Sequence, residues 1–200
     1  MLVTEPHPRL PEIVAAAVAG GVNVVQMRDK TAKQFELIAT AQELRALIPP
    51  PNLLIVNGTY HAVARAGADG TQMSRAPGKS IAADSGRGLL GVSVHSVGEA
   101  QEAACGGADY LVAGTVFASQ SHPEITPQGV GFLRDICQAV TIPVLAIGGV
   151  TPDRVAACVD AGAAGVAVLS PLMRAQDPEA VARAYRDALE AAWANRASPL

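Results

Sequence analysis

Eight strand–helix units in succession, a small-residue tripeptide recurring at helix ends, and a paired-glycine turn after the seventh strand predict the fold class. It is α/β, a single-domain (β/α)8 barrel over residues 1–200. The tripeptide reads Ala19-Gly20-Gly21, Ala66-Gly67-Ala68, Gly106-Gly107-Ala108 and Ala161-Gly162-Ala163, each leading into a β-branched or aromatic run. Such an internal echo is what repeated α/β units produce, with two units merged after the third copy. An open flavodoxin-like sheet uses about five strands, so eight countable units favour closure. Apolar residues form 50% of the chain and aromatics only 4%, which suits buried parallel strands under Ala-rich helices.

Leu2-Val3-Thr4 reads as a short first strand, and Pro6 and Pro8 hold an extended loop before a helix from Leu10 to Val18. Gly20-Gly21 stops that helix. Val22 to Met27 is strand two; Thr31 is suited to cap the next helix, with Phe35, Leu37, Ile38, Ala41, Leu44 and Leu47 at helical spacing. Pro49-Pro50-Pro51 ends it, and Leu53 to Val56 is strand three, closing in Asn57-Gly58. A short helix from Tyr60 to Gly67 precedes a brief strand, Gly70-Thr71-Gln72, and Ser74 to Gly88 reads as a loop with a short helix. Leu90 to Val94 is strand five, Glu99 to Ala104 a helix, and Tyr110 to Ala113 strand six. After a polar loop, Ala118 to Gln128, a helix spans Val130 to Val140. Strand seven, Val144 to Ile147, runs into Gly148-Gly149 and a helix opened by Thr151 with Pro152 in its first turn. Gly165 to Leu169 is strand eight, ending in Ser170-Pro171, and Asp177-Pro178-Glu179 starts a final amphipathic helix holding Trp193.

Net charge is −3 with no run of like charges, which leaves no electrostatic footprint for nucleic acid or an anionic membrane. No apolar run reaches the ~20 residues of a membrane span, and no basic-then-apolar leader opens the chain. Cys105, Cys137 and Cys158 lack metal-type spacing and read as small buried helix residues. Their odd number suits a reducing compartment, so a soluble, cytoplasmic protein is expected. Dimerisation stays open.

In such a barrel, function sits at the C-terminal strand ends. Those ends carry Gln26, Arg28 and Lys30; Asn57; Gln72; Ser93 and His95; Thr115; Gly148 and Gly149; and Ser170. The alternation of Gln26, Arg28 and Lys30 puts an amide and two cations on one side, suited to phosphate oxygens. The bland alternative is a rim salt bridge with Asp29. Gly148, Gly149 and Ser170 make a candidate phosphate cup from two consecutive strand ends. His95 suits a ligand contact or a purely local bond, and His122 lies in the long loop. His7 and His61 read as surface residues. No carboxylates cluster at the strand ends, which argues against a protein-made magnesium site.

Taken together, Val24-Val25-Gln26-Met27-Arg28-Asp29-Lys30, Leu54-Ile55-Val56-Asn57, Gly67-Ala68-Asp69-Gly70, Gly91 to Ser96, Ala108 to Phe117, Ile142 to Asp153 and Gly165 to Ser170 resemble the thiamine phosphate synthase/TenI family over nearly the whole chain. The resemblance implies a compact TIM barrel. In its synthases a pyrimidine diphosphate loses diphosphate and is captured by the nitrogen of a thiazole phosphate. It maps Gln26, Arg28, Lys30 and Asn57 onto the diphosphate and pyrimidine side, to which we add Ser93. It places the thiazole phosphate at Gly149, Leu169 and Ser170. Synthases follow the asparagine with a magnesium-binding aspartate, where this chain has Gly58; they carry a second after a turn that here reads Thr71-Gln72-Met73-Ser74-Arg75-Ala76. Their Thr-x-Thr-Lys loop is replaced by Ala118-Ser119-Gln120-Ser121-His122. The TenI branch shares Asn-Gly, Ser-Val-His-Ser and the lack of magnesium aspartates, and its characterised members tautomerise a thiazole carboxylate phosphate without metal. The histidine that branch places after the strand-six glycine is Thr115 here, leaving His122 or His95 to supply acid/base chemistry. The leading expectation is therefore a thiazole tautomerase with no cofactor, acting on a small thiazole phosphate. The alternatives are a divergent synthase whose Mg2+ rides on the diphosphate, and a non-catalytic regulator that binds thiazole or thiamine phosphate.

Overall fold

Eight parallel strands pair in strict sequence order, β1 (Leu2–Val3), β2 (Val24–Met27), β3 (Leu53–Val56), β4 (Gly70–Met73), β5 (Leu89–Val94), β6 (Tyr110–Ala113), β7 (Val144–Ile147) and β8 (Gly165–Ala167). The sheet then closes on itself. Val168 bridges Leu2, its amide donates to the Met1 carbonyl at 3.0 Å, and its own carbonyl accepts from Val3 at 2.9 Å. The computed structural model describes residues 1–57, 60–74, 88–119 and 124–197, without the side chains of 60–62 and 197. The loop expected over Ser74 to Gly88 lies almost wholly outside these residues, as does His122.

The helices are α1 (Leu10–Ala19), α2 (Gln34–Leu47), α3 (Tyr60–Ala66), α4 (Val97–Cys105), α5 (Gly129–Ala139), α6 (Val155–Asp160), α7 (Ser170–Met173) and α8 (Pro178–Ala197). Several depart from expectation for local reasons. Helix α2 begins at Gln34 rather than beside Thr31, because Glu36 reaches back to the Lys33 amide at 2.8 Å and fixes the first turn there. Helix α4 starts two residues earlier than expected, since Ser96 Oγ accepts from Glu99 N at 3.1 Å and caps it. After Thr151 comes a 3-10 turn, Pro152–Arg154, before α6; the Thr151 hydroxyl makes no cap bond. Strand β8 ends at Ala167, two residues short of the expected Leu169, and Ser170 opens the short α7, an element not expected from the sequence.

Alternation along the strands divides the apolar residues into two layers. One set, including Leu54, Val56, Leu90, Val92, Leu111 and Ala146, packs outward against Val14, Leu44, Leu133, Ile136 and Val155 of the helices. The other lines the barrel itself, where Val3, Val112 and Ala167 pack with Tyr110, Leu145, Ile147 and Leu169. Cys158 belongs to the outer layer and Cys137 is half-buried, but Cys105 is exposed because it is the last residue of α4, beside the Gly106-Gly107 turn. Among the described residues no helix is long and apolar enough to cross a membrane.

Candidate active site

Register fixes which strand-end residues share the mouth. Val3 pairs with Gln26 and Gln26 with Ile55; Gln72 pairs with Gly91, and Ser93 with Val112. Val3 and Val112 line the barrel, so Gln26, Gln72 and Ser93 are inward positions. Arg28, Asn57 and His95 lie two residues past the inward positions Gln26, Ile55 and Ser93, just beyond the ends of β2, β3 and β5. Gln26 is buried, Arg28, Asn57 and Ser93 are half-buried, and Lys30 and His95 are exposed.

The β2 end is fixed at its backbone, and its cations have no side-chain partner among the described residues. Arg28 N donates to Thr4 Oγ1 at 3.0 Å, tying the loop to β1. Asp29 Oδ1 accepts from Thr31 N, Thr31 Oγ1 and Ala32 N at 2.8, 2.8 and 3.0 Å. The Thr31 amide first, with its hydroxyl and the Ala32 amide, holds the Asp29 carboxyl below the usual aspartate range. Asp29 is thus spent on its own turn. The rim salt bridge does not form: among the described residues the Arg28 guanidinium and Lys30 ammonium have no ion pair or hydrogen bond.

At β7 and β8 the amides of Gly148, Gly149 and Leu169 have no hydrogen-bond partner among the described residues. Three N–H groups without a described partner at adjoining strand ends are suited to cradle an anion. Yet the glycines are not bare toward a ligand at their Cβ positions. A Cβ at Gly148 (φ +96°) would lie 2.5 Å from Thr115 Cγ2, and one at Gly149 (φ +59°) would overlap the Ala118 carbonyl. These residues are glycine because the 115–118 segment packs on them, with Val116 N and Phe117 N both donating to β7-end carbonyls at 2.9 Å. Arg154 closes the cradle's outer side, donating to Gly149 O at 2.8 Å while its guanidinium lies 5.0 Å from the Phe117 ring centre. Ser170 begins α7 beside this cradle.

The expected acid/base groups fare differently. His95 Nδ1 is 2.7 Å from Gly114 O, and a carbonyl only accepts, so Nδ1 carries the proton and only Nε2 is left for chemistry. The backbone there is pinned by Glu99 Oε2 on His95 N and by Gln128 Nε2 on His95 O. Thr115 sits in the turn after β6, its carbonyl accepting from Gln128 N. Gln72, one of the expected strand-end residues, and Tyr110, which was not among them, meet Ser93 inside the barrel: Tyr110 Oη donates to Gln72 Oε1 at 2.8 Å, and Gln72 Nε2 donates to Ser93 Oγ at 3.0 Å. The signal available was a polar residue at an inward strand position facing Gly91.

Magnesium, implied by the family resemblance, does not fit the donors present. Among the described residues no group of three His, Cys, Asp or Glu side chains comes together. The mouth offers amides and hydroxyls at Asn57 and Ser93, and Asp29 is engaged elsewhere.

A family model described as thiamine monophosphate synthase (TMP-TENI) matches residues 1–172. A thiamine-phosphate synthase of Natronomonas pharaonis is 38% identical, with 90% of this chain and 87% of the relative aligned. One of Roseiflexus castenholzii is 40% identical over 89% of this chain and 80% of its own. Among solved structures, the thiamine phosphate pyrophosphorylase of Pyrococcus furiosus superposes with a TM-score of 0.85 at 32% identity, covering 96% of both chains. A 3-hexulose-6-phosphate synthase, at 18% identity and a TM-score of 0.73, shares the fold alone.

Proposed function

The chain belongs to the thiamine monophosphate synthase family, a family of thiamine-biosynthetic enzymes, and from that premise we propose that it joins a hydroxymethylpyrimidine diphosphate to a thiazole phosphate. One observation supports this reading: two separate groups of residues suited to anions stand at the barrel's strand ends. Among the described residues, Arg28 and Lys30 have no side-chain partner at the β2 end, and the amides of Gly148, Gly149 and Leu169 have none at β7 and β8. A transfer between a diphosphate and a monophosphate needs both sites. A tautomerisation needs only one.

In the proposed reaction the bond between the pyrimidine methylene carbon and the diphosphate oxygen breaks, its electron pair leaving with diphosphate. The thiazole nitrogen lone pair forms the new C–N bond, giving the thiazolium. Arg28 and Lys30 would stabilise the charge gathering on the leaving diphosphate, Arg28 through its planar fork. Gln26, Asn57 and Ser93 would orient the pyrimidine. The Gly148, Gly149 and Leu169 amides and the Ser170 hydroxyl would hold the thiazole phosphate. The reacting carbon and nitrogen exchange no proton in this step, which suits a mouth where His95 has one nitrogen committed and residue 115 is threonine. With no fitting carboxylate cluster among the described residues, any magnesium requirement would enter with the substrate diphosphate.

The tautomerase reading keeps one observation in its favour, the Asn57-Gly58 strand end without metal carboxylates. It needs an acid/base group at the ring, for which His95 Nε2 and His122 are the candidates. One incubation separates the readings: both thiazole carboxylate phosphate tautomers, the pyrimidine diphosphate and Mg2+, followed by mass spectrometry and phosphorus NMR. Thiamine phosphate formed with diphosphate release is expected. Tautomer exchange without diphosphate release would replace this reading with the tautomerase, and binding without turnover would make the chain a ligand-binding regulator. Ser170→Glu is expected to abolish thiazole phosphate binding; unchanged affinity would remove the cup assignment.

A further inference from the structure

Ser93 is reached from inside the barrel by a directed chain of hydrogen bonds, and its direction has a consequence for the ligand. Tyr110 and Gln72 flank Gly91 in one layer, β4 and β6 meeting across β5 because Gly91 has no side chain. A Cβ there would overlap both the Tyr110 hydroxyl and Gln72 Oε1. Gln72 is 2% exposed. Burial pushes the Tyr110 hydroxyl above its ordinary range, so it remains a neutral donor.

The sense of the chain follows from what each atom can do. The Tyr110 hydroxyl proton has one acceptor among the described residues, Gln72 Oε1. Turning the Gln72 amide over would place its NH2 against the tyrosine oxygen and leave the buried phenol proton without an acceptor. Gln72 therefore presents Oε1 to Tyr110 and Nε2 to Ser93. Ser93 Oγ accepts that bond, and its own proton has no acceptor among the described residues. It is available to the mouth.

We propose that Tyr110 and Gln72 are positioning residues that fix Ser93 as a hydrogen-bond donor, so that this subsite selects a ligand atom that accepts, such as a ring nitrogen, over one that donates. The ligand side of this inference rests on the reading of Ser93 as a pyrimidine contact; the sense of the chain does not. Two measurements therefore separate them. In the free protein, nuclear Overhauser contacts are expected to place the Gln72 side-chain amide protons against Ser93 Hβ. Contacts to the Tyr110 ring edge instead would mean a turned amide and overturn the proposal.

In the transferase assay, Tyr110→Phe is expected to raise KM for the pyrimidine diphosphate roughly 5- to 20-fold, with kcat and the thiazole phosphate KM changed less than about twofold. The same change in a Ser93→Ala background is expected to add nothing further, because the hydroxyl it orients is gone. Gln72→Met should reproduce the Tyr110→Phe effect, and Gln72→Asn with Tyr110 intact should not rescue it, being too short to bridge. An equal KM effect in the presence and absence of Ser93, or an equal loss for both substrates, would reduce the chain to core packing and overturn the proposal. If the wild-type protein neither binds nor converts the pyrimidine diphosphate, the functional reading fails while the Overhauser contacts still decide the chain.

Discussion

Arg28 shows how far a single residue could be read from sequence. Alternation puts it on the side of Gln26 if the strand persists, and β2 ends one residue before it; what alternation could not decide was whether Asp29 neutralises it. That depended on the turn, where three donors from Thr31 and Ala32 take the carboxylate. Arg28→Met is therefore expected to weaken pyrimidine diphosphate binding by about 10- to 100-fold, the range of a lost charge-assisted bond, while thiazole phosphate affinity stays within about threefold. Calorimetric titration of each ligand would check it, and equal losses would show that Arg28 serves no particular anion. For Asp29 the sign is that of a depressed carboxylate: its contribution is present above the ordinary aspartate range and disappears as pH falls through the lowered value. A carboxyl-carbon NMR titration should give a midpoint below that of a model aspartate, and Asp29→Asn should erase the pH dependence of the 29–32 turn. Gly148 and Gly149 were legible as glycines with a purpose, but not which one, because the 115–118 segment that packs on them is distant in sequence.

At the scale of elements, the recurring small tripeptides marked helix ends correctly, but the residue after two of them escaped attention. Asp69, before β4, accepts from Leu54 N at 2.7 Å while its amide donates to Leu54 O at 2.8 Å. Asp109, before β6, does the same with Leu90, at the same two distances. Each aspartate thus clips the neighbouring strand by both backbone groups, and Arg45 of α2 adds a 2.6 Å bond to Asp69. Asp109→Ala is expected to cost about 1–3 kcal/mol in urea unfolding, with Asp69→Ala at the upper end because the half-buried Arg45 loses its carboxylate and keeps only its bond to Asn52 O. A change under about 0.5 kcal/mol in both would mean the strand backbone finds water instead. Strand existence was readable from β-branched runs, and all eight strands stand where they were expected. Helix starts were less so. The start at Lys33 depends on the Glu36 side chain three residues downstream, that at Ser96 on its own hydroxyl meeting the Glu99 amide, and α7 is too short to leave a periodic signal.

Over the whole molecule, the C-terminal helix ties its own packing to the proposed phosphate cradle. The sequence marked α8 as amphipathic, but could not show that it reaches the loop after β7. Tyr185 Oη donates to Val150 O at 2.7 Å in a buried site, and burial pushes the phenol up to about 12, so it stays a donor at every physiological pH. Val150 follows Gly149, whose amide belongs to the cradle, and a shift in that carbonyl would turn the preceding peptides. Tyr185→Phe keeps the ring's packing and removes only the bond. It is expected to lower stability by about 1–3 kcal/mol and to raise the thiazole phosphate KM about 3- to 10-fold, leaving the pyrimidine diphosphate KM unchanged. Arg196 provides the comparison, since it anchors the same helix through Val159 O at 2.9 Å, on α6 rather than at the cradle. Arg196→Ala should cost stability without moving either KM. Should both substitutions shift the thiazole phosphate KM equally, α8 would be acting through global stability alone, and the link from Tyr185 to the cradle would be refuted.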